Sequence, residues 1–432
     1  MKKLYYLVSA LAFVSMTSCG DGFNFPEVGA ETDLYKIPLP ETSMMEVELK
    51  DVSIAMEHVG GLHTEEDFER IREKLKAGES PWVEGYELLK NSKYAQLSFQ
   101  TYPTEIIVRG GGSGENYMNA ARGAAAAYQL ALRWKIEENG QYAKKAVEIL
   151  NKWAQTCVGL GGDSNVSLGA GIYGHEFAIA GELLRDYAGW APKDFAAYQQ
   201  WMLSVFYPAN KDFLVRHHGT NPLHYWANWG LCNLASTMAI GILTDRRDIY
   251  NEAIEHFQIG ETNGRITLAI YHVYDGAYAN FAQLQESGRD QGHTLMCVGL
   301  LGTICQLAYN QGDDFFAYKD NMFLKACEYA ACFNYTNDGV PYTLYTWNQQ
   351  NPWGGISPVE QPELGTTGRG NLRPIWALPY YHYAKVKNVL DTKVKYSLIG
   401  LERAFPEGGG GNYGETSGGF DALGFGTLMY AR

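Results

Sequence analysis

Positive charge is scarce in this 432-residue sequence: 35 Lys and Arg stand against 48 Asp and Glu, a formal charge of −13. So acidic a chain repels polyanions over its surface as a whole, and nothing in it resembles the basic footprint of a nucleic-acid binder. Cysteine is sparse too, with seven in all and no Cys-x-x-Cys pair, which excludes a disulfide-built miniprotein and argues for buried thiols over a metal site. No second long apolar run follows the first residues, so no further membrane span is expected. Ser287 lies in Glu-Ser-Gly and not in a nucleophile elbow. The glycines at 110–114 are not followed by Lys-Ser/Thr, which disfavours a nucleotide loop, although their N–H groups could hold an anion. No repeat of fixed period is visible, so a regular solenoid is disfavoured.

What is present begins with Lys2 and Lys3, then an apolar run from Leu4 to Met16 that ends in Thr17-Ser18-Cys19. Residues 1–19 are expected to be a lipoprotein signal peptide with lipid attached at Cys19, Met16 standing where Leu is usual; the alternative is a plain secretory signal. Either places the mature chain outside the cytoplasm, and the first makes it an exported lipoprotein of the periplasm or outer membrane of a Gram-negative bacterium. Any membrane contact would then be through the lipid alone. Residues 20–57 read as a tether and residues 58–432 as a single domain. The remaining six cysteines, Cys157, Cys232, Cys297, Cys305, Cys327 and Cys332, all fall in apolar helical stretches, with room for one or two disulfides.

With 46% hydrophobic residues, 30 Tyr and 10 Trp, the chain can bury a large core, and its rings serve either helix packing or sugar stacking. Thr64-Glu65-Glu66-Asp67 is a capped helix start, with Phe68, Ile71 and Leu75 on one face. Residues 116–136 and 142–156 carry helical periodicity, and further helices are expected over 175–188, 194–215, 224–243, 247–257, 290–310, 315–333 and 374–387. Only 341–346 and 396–404 suggest short strands. About a dozen antiparallel helices, too many for a bundle, must curl to bury their apolar faces. The expected fold is therefore all-α, an (α/α) toroid with few short strands and a central groove.

Polar residues concentrate in three segments of this apolar chain. Residues 216–229 hold His217, His218, Asn221, His224, Tyr225, Trp226 and Trp229 around a helix start, without His-x-x-x-His spacing for zinc. Residues 271–278 hold Tyr271, Tyr274, Asp275 and Tyr278, with Arg265 upstream. Residues 283–293 run Gln-Leu-Gln-Glu-Ser-Gly-Arg-Asp-Gln-Gly-His into an apolar helix, where Arg289 and His293 are one turn apart, as an anion clamp requires. His, Tyr, Arg and Asn without metal or cofactor suit proton abstraction beside a carboxylate. Cationic and amide groups neutralise the carboxylate while Tyr or His moves protons, each contributing roughly 10²–10⁴-fold. β-Elimination across the C4–O bond of a uronic acid is such a reaction.

Asn263-Gly264-Arg265-Ile266, Gln285-Glu286-Ser287-Gly288-Arg289-Asp290-Gln291-Gly292-His293-Thr294, Tyr309-Asn310-Gln311-Gly312-Asp313-Asp314 and Val340-Pro341-Tyr342 resemble the alginate lyase family of helical-toroid polysaccharide lyases. The likeness spans about residues 58–390 and extends to the family's Bacteroidetes branch and to polysaccharide lyase family 38. It implies a groove for an anionic uronate polymer. In it His218 and Arg289 would neutralise the carboxylate with Asn221 assisting, Tyr271 would carry a proton, and His224 and His293 would be alternative carriers. His217 stands where the family has a second Asn. The family's Tyr six or seven residues after the Arg is replaced by Leu295 and Met296, so Tyr271, Tyr274 or Tyr278 must supply the phenol. Substrate contacts would come from His217, Arg265, Tyr225, Trp226, Trp229, Tyr278, Gln285 and Glu286, with no metal and no cofactor. The cations would then form a local positive well inside a negative shell. Two other readings are an inverting glycoside hydrolase using two of Glu176, Asp275, Glu286 and Asp290, and a non-catalytic glycan-binding lipoprotein.

Overall fold

The computed structural model describes residues 47–351 and 353–432. The expected signal peptide, Cys19 and the first part of the tether lie outside the described residues. Fifteen α-helices follow in order: α1 (Glu65–Ala77), α2 (Trp82–Asn91), α3 (Tyr117–Glu137), α4 (Gly140–Thr156), α5 (Val166–Leu183), α6 (Pro192–Trp201), α7 (Tyr207–Arg216), α8 (Ala227–Leu243), α9 (Arg247–Ile259), α10 (Ile266–Ala269), α11 (Gln291–Asn310), α12 (Tyr318–Tyr335), α13 (Ala377–Tyr381), α14 (Lys395–Ala404) and α15 (Gly426–Tyr430). Three two-stranded sheets decorate them: β1 (Ile106–Arg109) parallel to β2 (Gly159–Gly162), and the antiparallel pairs β3 (Ile270–Val273) with β4 (Ala282–Leu284) and β5 (Tyr345–Gln350) with β6 (Ile356–Gln361).

The helices pack in a closed circuit. α3 meets α4 and α5, α5 meets α8, and α8 meets α9 and α11; α11 leads through α12, α14 and α13 to α15, which closes on α1 and α2, and α1 packs on α3. This is the (α/α) toroid. Its inner helices are apolar on every side: α8 is buried along its whole length and α5 from Ser167 onward. Two such helices can approach only where side chains are small. At Gly171 a Cβ would stand 2.4 Å from Cys232 Sγ and 2.7 Å from that residue's backbone, so this crossing depends on glycine. α11 is long and apolar enough to cross a membrane, yet most of it is buried in the toroid.

Residues 396–404, expected as a strand, form α14 instead. The buried Glu328 carboxylate accepts from Tyr396 N at 2.9 Å and Ser397 N at 2.8 Å, supplying the helix start with a partner that local sequence does not show. The strand expected at 341–346 is displaced toward the hairpin β5–β6. Residues 47–57, assigned to the tether, dock at their end: Arg247 donates to Ile54 O and Ala55 O, and Met56 is buried. All six described cysteines are free and buried.

Glu407 does for α13 what Glu328 does for α14. Its Oε1 accepts from Trp376 N at 2.6 Å and Ala377 N at 3.0 Å, and burial pushes its carboxyl up to about 8 against the pull of those N–H groups. A carboxyl raised in this way contributes stability below its unfolded value near 4.5 and loses it as pH rises through 8. Between pH 6 and pH 9 the native protein should therefore lose about 3 kcal/mol that Glu407→Gln, which keeps an acceptor, does not. Urea unfolding of both proteins at the two pH values measures the difference.

Candidate active site

Four inner helices begin at the same mouth of the toroid. A cleft of about 400 Å³ lies there, lined by Tyr117, Leu168, Asn228 and His293, each from the first turn of its helix (α3, α5, α8 and α11), with Asp290 and Met296 beside them. Arg109 at the end of β1, Arg373 and the C-terminal loop through Thr416, Ser417 and Asp421 complete the wall. Four helix N-termini begin at this space, and the dipole of each favours an anion there.

The segment 285–293 positions much of this wall. Gln285 Oε1 accepts from Ala227 N at 2.8 Å and Glu286 Oε1 from Asn228 N at 3.1 Å, so two consecutive side chains cap α8 from 58 residues away. Glu286 Oε2 accepts from Arg289 at 3.1 Å, and the Arg289 guanidinium lies 5.0 Å above the Trp226 ring. Asp290 caps α11 by accepting from His293 N at 2.8 Å, and its second oxygen is 2.6 Å from His293 Nδ1. Burial pulls the Asp290 carboxyl upward, but the His293 contacts and the charge of Arg289 hold it below the usual value, so it stays ionised.

Opposite, Arg109 donates to Tyr173 Oη at 2.9 Å and Ser417 Oγ at 3.1 Å, its guanidinium 5.0 Å from the Tyr117 ring. Arg373 donates to Asp421 at 2.9 Å. The buried Asn228 Oδ1 has no protein partner, a polar atom at the cleft wall that a bound group would satisfy.

The structure brings only some of the sequence-derived candidates to this cleft. His293 lines it, and Arg289, Glu286 and Gln285 stand behind it as supports. His218 is adjacent: its Nε2 is 2.8 Å from Ser167 Oγ, the residue before Leu168. Burial lowers its pKa, and it sits with His217 and Gly219 in three consecutive left-handed conformations, a strained turn that ends α7. His217 is buried beside Phe213, and burial takes it down to about 3. His224 Nδ1 accepts from Gln350 N at 2.9 Å, and burial takes it to about 4. Asn221 N donates to Gln350 Oε1 at 2.6 Å, so His224 and Asn221 anchor β5.

Tyr225, Trp226 and Trp229 are 3%, 3% and 2% exposed and pack on one another's neighbours; they hold the wall and offer no open face for sugar. Tyr271 donates to the carbonyls of Thr343 and Leu344, and burial raises it to about 12. Tyr274 donates to Gln283 Oε1 at 2.6 Å. Tyr278 is exposed and Arg265 buried, neither of them on the cleft. Sequence reading passed over Arg109, Tyr117, Asn228 and Arg373. Of these only Asn228 carried a signal, as the second residue of a helix inside the His-rich segment. Among the described residues no group of His, Cys, Asp and Glu is arranged to hold a metal.

Comparison with known proteins sets this geometry in a family. The alginate lyase family's sequence profile matches residues 89–339, more than half of the chain. The chain belongs to the alginate lyase family. It is a polysaccharide lyase. No curated protein matches it in sequence. Among solved structures the lyase is similar to a tetrasaccharide complex of alginate lyase A1-III of Sphingomonas species A1, with 13% identity, 88% of this chain and 98% of that chain covered, and a TM-score of 0.55. It is also similar to an alginate lyase from Bacteroides ovatus, with 14% identity, coverage of 86% and 98%, and a TM-score of 0.52. At these identities the likeness establishes the shared toroid.

Removing the Glu286 carboxylate uncaps α8 and leaves Arg289 without its buried partner. Glu286→Ala in this lyase should cost about 3 kcal/mol. Urea unfolding measures it; a loss below about 1 kcal/mol would show that α8 does not depend on this contact.

Proposed function

We propose that this lyase cleaves a uronate-containing polysaccharide of the alginate or glucuronan kind by β-elimination in the cleft between Arg109, Tyr117, Asn228, His293 and Arg373. The observation that carries the reading is the His293–Asp290 pair at the mouth of α11, opposite two guanidinium groups and the unsatisfied Asn228 amide. A uronate carboxylate takes Arg109 and Arg373 as counter-charges, while the Asn228 amide oxygen accepts from a sugar hydroxyl. Delocalisation of the developing carbanion into that carboxylate is what the positive field of the four helix starts favours. His293, with Nδ1 held by Asp290, exchanges its proton through Nε2.

His293 Nε2 takes the C5 proton as the C5–H bond breaks, and the electrons of that bond form the C4–C5 double bond. The C4–O bond breaks in turn, and the departing oxygen receives a proton from Tyr117 or from the imidazolium of His293. Tyr271, engaged with two carbonyls, is not used. The tetrasaccharide bound by the Sphingomonas enzyme supports an oligosaccharide-sized ligand for this cleft. Export as a lipoprotein anchored at Cys19, drawn from the N-terminal sequence, fits a polymer met outside the cytoplasm.

Incubation with alginate, glucuronan and glycosaminoglycans should produce the ultraviolet absorbance of an unsaturated uronate with at least one of them. Reducing ends without that chromophore would favour the hydrolase alternative. His293→Ala should lower kcat by about 10²–10⁴-fold. If Tyr271→Phe carries the larger loss, the proton-carrier assignment falls.

A further inference from the structure

A second hollow of about 370 Å³ opens beside the cleft. We propose that it is a sugar subsite that reads a uronate carboxylate some distance from the scissile bond, and that Glu415 fills the carboxylate position until the polymer displaces it. The inference rests on the substrate reading above.

The hollow joins a cationic corner to an aromatic floor. Lys93, Phe99, Tyr102, Asn119, Arg122 and Glu415 line it. Tyr102 is 68% exposed, an open ring face of the kind the buried Trp226 and Trp229 do not provide. Lys93 Nζ is 2.6 Å from Glu415 Oε1, Arg122 Nη2 is 3.9 Å from Glu415 Oε2, and Tyr94 Oη donates to the same oxygen at 3.2 Å. Two cations and a phenol converging on one carboxylate make up the donor set that a uronate would need. The internal carboxylate is solvent-exposed, and exposed pairs contribute little to stability, so exchanging Glu415 for a ligand carboxylate costs the fold little.

Two features of the chain join the hollow to the reaction site. Asn119 and Arg122 lie on α3, whose Tyr117 lines the cleft; five residues of helix are about 7.5 Å, a step along a polysaccharide. Glu415 directly precedes Thr416, Ser417 and Gly418 of the cleft wall. A polymer lying across Tyr117 toward Tyr102 therefore crosses both, and its length decides whether the second is reached.

Affinity electrophoresis through gels containing alginate or glucuronan, with a neutral glucan gel as control, separates binding from turnover. The wild-type protein should be retarded in a polyuronate gel and not in the neutral one, the double variant Lys93→Ala/Arg122→Ala should run ahead of it, and Glu415→Gln should be retarded more. KM for the polymer should rise about tenfold in the double variant, and KM for the shortest cleaved oligosaccharide should rise less. Unchanged retardation and unchanged polymer KM in the double variant would overturn the subsite, as would weaker retardation of Glu415→Gln. If the wild-type protein turns over no polyuronate, the substrate reading fails. The gels still decide the subsite: wild-type retardation lost in the double variant supports it, and no wild-type retardation overturns it.

Discussion

The start of α8 is the joint on which the toroid and its cleft depend. A helix buried along its whole length cannot give its first N–H groups to water, and leaving them unpaired costs a large fraction of a domain's net stability. Gln285 and Glu286 supply the partners from the segment that leads into α11, the neighbour of α8 in the circuit. Because Glu286 also binds Arg289, and the following Asp290 caps α11, one short segment fixes two inner helices to each other. Asn228 and His293 face the same space for this reason. The same device recurs at Glu328 and Glu407, where carboxylates from distant parts of the chain start α14 and α13. These three helix starts take their caps from distant parts of the chain, whereas α11 is capped by its own Asp290.

The helix starts also answer the charge problem. A net −13 disfavours an anionic polymer at long range, but salt screens such a field within about 10 Å. Inside the cleft what counts is local: the N-terminal ends of α3, α5, α8 and α11, with Arg109 and Arg373 among them, against Asp290 and Asp421, each already paired to a cation or imidazole. Acidic residues on the outer surface are screened before their field reaches the cleft.

Helical periodicity made α1, α4 and α9 legible, since each keeps a polar face, while α8 and α11 were legible as long apolar runs. α14 was not legible because its start is fixed by Glu328 and not by any nearby residue. The segment 283–293 was legible as functional, but its residues divide by role in a way that one dimension hides. Gln285, Glu286 and Arg289 are polar because they serve a buried helix end, and His293 because it meets the cleft. Composition alone cannot separate a cap from a ligand. The 216–229 cluster shows the same limit: its rings and histidines turn into the wall, and the one residue that reaches the cleft, Asn228, is the least conspicuous. Arg373 stood in a segment with no pattern, and Arg109 was overlooked beside the glycines 110–114, whose backbone drew the attention; the β1–β2 pair and the chain closure bring the two to the cleft.

The double duty of Asp290 bears most directly on chemistry. One oxygen accepts from the backbone of His293 and the other meets its Nδ1, so the residue that caps the helix also holds the imidazole, which would lose that contact on rotating away. Orientation and tautomer of the proposed proton carrier are thereby set by folding, before any substrate arrives, by the same residue that begins α11. Through Glu286 that helix is in turn registered against α8 and Asn228. In the proposed reaction, a carboxylate held by the two arginines meets an imidazole whose position is already determined, which is the condition for proton transfer without reorganisation of the site.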